Sequence, residues 1–123
     1  MRSTMVFGAL LLAGAGVGGG VIAGCASAPP VNERTITTQA AIRAAGEVGA
    51  ASVPRASLHL QLAKEESEKA KLLADSGDKE RAASLLLRAE ADAELAVTLA
   101  REDAERTEAN AAVERVHQLR QSN

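Results

Sequence analysis

Two stripes of small apolar residues, separated by one glycine, constrain this chain more than any other feature. Ala56, Leu60, Ala63, Ser67, Ala70 and Ala74 recur in steps of three and four, and so do Ala82, Leu86, Ala89, Ala93, Ala96 and Ala100. That period places each set on one face of an α-helix. Between the stripes stands Ser76-Gly77-Asp78, where a glycine can take the left-handed conformation that ends a helix and an aspartate can cap the next one. The expected fold is therefore all-α: an antiparallel hairpin of helices at about 54–75 and 79–119. Leu58, Leu62 and Leu73 are expected to widen the first stripe, and Leu85, Leu95 and Leu99 the second. In such a hairpin Leu60 lies near Leu95, and Leu73 near Ala82. Pro54 suits a first helical turn, with Ser52 as its expected cap.

A short helix is expected before the hairpin, from about Glu33 to Ala45. Asn32 serves as its cap, Ile36, Ala40 and Ala44 form its apolar face, and Gly46 and Gly49 end it. Beyond Ala100 the last helix overhangs its partner. Arg101 to Leu119 is strongly charged, with Glu102 and Arg106 as an i,i+4 pair and a thin apolar edge at Val113, Val116 and Leu119.

Composition supports helices and excludes some functions. Alanine fills 23 of the 99 positions from Cys25 onward, and no alternating Val/Ile/Thr segment suggests a strand. Formal net charge is -2 over the chain, and -3 once Arg2 is set aside with the first 24 residues. No basic field is present to attract nucleic acid. The one aromatic, Phe7, lies in the N-terminal apolar run, so later residues offer no ring for base stacking. With 19 Leu, Ile and Val in those 99 positions, the core is thin for independent stability and self-association is expected.

The N-terminal segment carries its own signal. Arg2 supplies a positive start, residues 5–22 an apolar stretch, and Ala23 and Gly24 are small residues before Cys25. Ile22-Ala23-Gly24-Cys25 resembles the lipobox of bacterial lipoproteins. That resemblance implies cleavage between Gly24 and Cys25 and acyl chains on the Cys25 sulfur and new amino terminus. Three chains anchor durably, at about 0.8 kcal/mol per buried methylene. The alternatives are an uncleaved transmembrane helix or simple secretion. Against the former stand seven glycines among residues 1–24 and Pro29-Pro30 immediately after, poor material for a permanent span. Ala26 is not the aspartate that marks inner-membrane retention in enteric bacteria, so the periplasmic face of an outer membrane is the expected location. Residues 1–24 are then a signal peptide, 25–32 a lipidated tether, 33–120 the helical domain and 121–123 a tail.

Val53-Pro54, Leu62-Ala63-Lys64-Glu65, Leu72-Leu73-Ala74-Asp75-Ser76-Gly77-Asp78 and Ala89-Glu90-Ala91-Asp92-Ala93-Glu94-Leu95-Ala96 together resemble the DUF4398 family of helical envelope proteins. The resemblance runs from the lipobox to about Arg101. It implies a fold and a compartment, and no activity. Some relatives carry a C-terminal OmpA-like domain that binds peptidoglycan; residues up to Asn123 contain none.

Catalytic chemistry is not expected. His59 and His117 lie on different helices, and His59 has no carboxylate or histidine three or four residues away. Glu114 and His117 form one Glu-x-x-His spacing, where carboxylate-bridged metal bundles need two and further inward glutamates. Glu90, Asp92 and Glu94 read as a solvated acidic face. Ser57, Ser67 and Ser84 lack a histidine-carboxylate arrangement. No cofactor, metal or small-molecule substrate is expected, apart from covalent lipid on Cys25. The expected role is a non-enzymatic envelope lipoprotein that is structural or self-assembling. The alternative is an adaptor whose hairpin engages another envelope protein, such as an OmpA-like partner.

Overall fold

The computed structural model describes residues 30–122. Within them three α-helices, α1 (Val31–Glu47), α2 (Pro54–Asp75) and α3 (Lys79–Gln121), form an all-α bundle, with a 3-10 turn at Ala50–Ser52 between the first two. The signal peptide, Gly24 and Cys25 lie outside the described residues. Helix α1 begins two residues before the expected Glu33 and ends two after Ala45. Helix thus takes in Val31 and Asn32, the last two residues of the expected tether, and Gln121, the first of the expected tail.

The hairpin turn follows directly from Gly77. Its φ is 90°, a conformation that costs an L-residue roughly 1–2 kcal/mol. In that geometry the Gly77 N–H donates to Ala74 O at 3.1 Å and the Asp78 N–H to Leu73 O at 2.9 Å. Two carbonyls at the end of α2 are thereby satisfied. The Asp78 carboxylate then accepts from the Arg81 N–H at 3.3 Å, capping α3 as expected.

Both alanine stripes are buried, except for Ala74 at the end of the first, which is half-buried. Ala56, Ala63, Ala82, Ala89, Ala93 and Ala96 have no exposed surface, and Leu60 and Leu86 are nearly as deep. Alanine seams let helix backbones approach closely, but each side chain contributes little area. The width of the seam is therefore small. Leu58 and Leu62, expected to broaden it, are exposed, as is Leu95. Leu60 instead shares its core cluster with Ala93, Ala96, Leu99 and Ala100.

Helix α1 lies parallel to α3. Pro30, Val31 and Asn32 adjoin Lys79, Glu80 and Ala83, and Ala40, Ala41 and Ala44 adjoin Glu94, Val97 and Thr98. Its buried face is Thr38, Ile42 and Ala45, not the expected Ile36, Ala40 and Ala44; Ile36 is 70% exposed. The polar residue can go inside because its hydroxyl is satisfied there. Thr38 Oγ1 lies 2.8 Å from Arg34 O and 3.2 Å from Leu86 O, so its one proton is shared between α1 and α3.

Three expected helix ends also differ. Pro30, not Asn32, precedes α1, and its carbonyl accepts from the Glu33 and Arg34 N–H groups. Gly46 lies inside α1, and the positive φ falls on Gly49. Ser52 belongs to the 3-10 turn; Val53 precedes α2 and no side chain caps it, while Pro54 opens the helix as expected.

Candidate functional site: polar contacts between helices and an uncovered face of α3

The most chemically capable pair spans α2 and α3. His59 Nδ1 and Asp92 Oδ1 are 2.7 Å apart, with side chains 28% and 23% exposed. With the proton on Nδ1, the imidazole donates and the carboxylate accepts. Sequence spacing could not reveal this contact, because the residues are 33 positions apart and on different helices. Asp92 is therefore not part of a solvated acidic face; it is half-buried and paired. Glu94 is exposed.

A histidine held by a carboxylate is two-thirds of a nucleophilic triad. The nearby Ser57 hydroxyl is committed elsewhere, donating to Pro54 O in its own helix at 2.9 Å. Ser67 Oγ accepts from Gln39 Nε2 at 3.1 Å, which joins α1 to α2. Together these contacts join α1 to α2 and α2 to α3.

A second cross-helix pair joins Arg88 Nη2 to Glu66 Oε1 at 2.6 Å. Glu66 is buried and Arg88 is largely exposed, so a guanidinium reaches from solvent over a carboxylate in the seam. Only one oxygen is served: Glu66 Oε2 has no partner, and neither does the buried Arg34 Nε. A glutamate at the edge of an alanine stripe gives no spacing signal, and sequence reasoning passed over it.

Glu114 and His117 lie on the exposed end of α3. Glu114 Oε1 accepts from Gln118 Nε2 at 3.4 Å. Among the described residues, no group of three or more His, Cys, Asp and Glu is placed to hold a metal ion. No helix of the described residues is long and apolar enough to cross a membrane.

Two surfaces remain. An open groove of about 730 Å³ runs between α1 and α2, lined by Ile36 and Gln39 on one wall and Lys71 and Ala74 on the other. The larger surface is α3 itself. It has 43 residues, about 64 Å at 1.5 Å each, against 22 in α2. From Arg101 to Ser122 every residue but Ala112 is exposed. Val113, Val116 and Leu119 stand open along this overhang as expected, and Glu102 Oε1 accepts from Arg106 Nη2 at 3.3 Å. No family model, curated protein or solved structure matches the chain.

Proposed function

We propose that this chain is a lipid-anchored, non-catalytic protein of the bacterial cell envelope, of the DUF4398 kind, with a structural role carried by the outer surface of α3. Acyl chains on Cys25, after removal of residues 1–24, are the proposed anchor. The periplasmic face of the outer membrane is the proposed location.

One observation carries the structural part of this reading. Pro30 adjoins Lys79 and Glu80 at the foot of α3, whereas the uncovered segment lies at its far end. An anchor at Cys25, five residues before Pro30, would enter at the foot. The five-residue tether spans at most about 18 Å, so the free half of a helix about 64 Å long would be held at a fixed reach from the lipid. A helix built this way serves contact with other chains rather than turnover of a small molecule.

The adaptor reading draws on the groove between α1 and α2, where exposed Ile36 lines one wall. A partner envelope protein, such as one with an OmpA-like domain, would dock there. Crosslinking from position 36 in intact cells separates the two: adducts with a different protein favour the adaptor, and their absence favours the structural role.

For the anchor, the test is Cys25→Ser with cell fractionation. Wild-type protein is expected in the membrane fraction with a processed terminus. The variant is expected to lose both processing and acyl mass. A variant processed and membrane-bound like the wild type would refute lipidation at this residue.

A further inference from the structure

We infer that the outer face of α3 is covered by a second copy of this chain, with the two α3 helices running antiparallel. The face opposite the buried seam carries Ala91, Leu95 and Thr98, then Glu102 and Glu105, then Ala109, Ala112 and Val116, in steps of three and four. All are exposed except the half-buried Ala112. The buried seam of α3 has the same seven-residue period, from Ala82 to Ala100. Both faces therefore demand the same gentle supercoil.

Charge selects the direction and the register. One flank of the outer face reads Glu94, Arg101, Glu108, Arg115, and the other includes Arg106 and Arg120. In a parallel, in-register pair, each flank meets the opposite flank five residues on. Arg101 then faces Arg106 of the second copy, and Arg115 faces Arg120. No opposite charges meet.

In an antiparallel pair each flank meets its own kind. With Ala91 set against Val116 of the other copy, Leu95 lies against Ala112 and Thr98 against Ala109, so large residues pack on small ones. In that register Glu94 meets Arg115 and Arg101 meets Glu108, each twice by the two-fold symmetry. A shift of one heptad in one sense sets Arg101 against Arg115. The opposite shift sets Glu94 against Glu108. Along the flanks, each neighbouring register thus brings like charges together, which is costly, and only the chosen register makes every flank contact of this series attractive. The two central layers set Glu102 against Glu105 of the other copy, a like-charge contact that lowers stability. Arg106, 3.3 Å from Glu102 in its own helix, and Arg101 lie beside them and offset part of that repulsion.

This deepens the structural reading proposed above without depending on the lipid. Antiparallel pairing would place the two Pro30 ends roughly 70 Å apart, from the 1.5 Å rise per residue. It also supplies the apolar contact that the exposed Leu95 and Val116 lack in a single chain.

Sedimentation equilibrium of the full chain in nonionic detergent micelles tests the pairing, whether or not Cys25 carries lipid, so the two proposals can fail separately. Wild type is expected to be a dimer. Glu94→Arg and Arg115→Glu each turn two attractive contacts repulsive and should weaken association about tenfold. Combined in one chain they should restore it to within about threefold of wild type. Arg101→Glu and Glu108→Arg form an independent set with the same expected pattern. Circular dichroism on each variant confirms that the helices persist. A wild type that stays monomeric, single exchanges without effect, or double exchanges that fail to restore association would each overturn the proposal.

Discussion

His59 on α2 and Asp92 on α3 meet at 2.7 Å across a seam rich in alanine. In such a seam a specific polar contact fixes how the helices align, because alanines alone tolerate sliding. The pair is partly exposed, which limits its strength. His59→Ala and Asp92→Ala are each expected to cost about 0.5–1.5 kcal/mol, and the double variant little more than either. A double-mutant cycle by urea unfolding measures the coupling. Additive losses would show that the two side chains act separately.

Glu66 and Arg88 should respond unequally to mutation. Removing the exposed partner by Arg88→Ala leaves the buried Glu66 carboxylate with neither oxygen bonded, an expected loss of about 1–3 kcal/mol. Replacing the buried partner by Glu66→Met removes that burden and fills similar volume, so stability should hold or rise. Thermal unfolding of both variants checks the asymmetry; equal losses would contradict it.

Most of this architecture was legible in the sequence, and the omissions have physical causes. The Gly77-Asp78 turn and both alanine stripes follow from local rules: a left-handed position, a cap and a period of 3.6. The buried face of α1 did not follow, because apolarity pointed to Ile36, whereas a hydroxyl shared with Leu86 O lets Thr38 go inside. His59–Asp92 and Glu66–Arg88 were likewise invisible, since each contact depends on the rotation of one helix against another. No spacing within a helix encodes that rotation.

The glycines offer a contrast in sign. Gly46 sits in helical backbone with open space where a Cβ would go. Gly46→Ala should therefore stabilise by about 0.4–1 kcal/mol. Gly77→Ala, at φ 90°, should destabilise by about 1–2 kcal/mol. Melting temperatures that shift in the same direction would contradict this account of the turn.

The seam should tolerate enlargement poorly. Ala93 has no exposed surface, and close backbone approach is what its small side chain permits. Ala93→Leu is expected to cost about 1–3 kcal/mol. The same change at exposed Ala104 should fall within about 0.5 kcal/mol of wild type. Denaturant midpoints of the two variants read the difference directly.

The proposed function turns on Cys25, because the role given there to the free end of α3 assumes a chain held at its other end by lipid. Intact-mass measurement of the protein purified from bacterial membranes is the most direct test. A mature chain that begins at Cys25 and carries added acyl mass is the predicted result. A chain that retains Met1 and carries no lipid would contradict it.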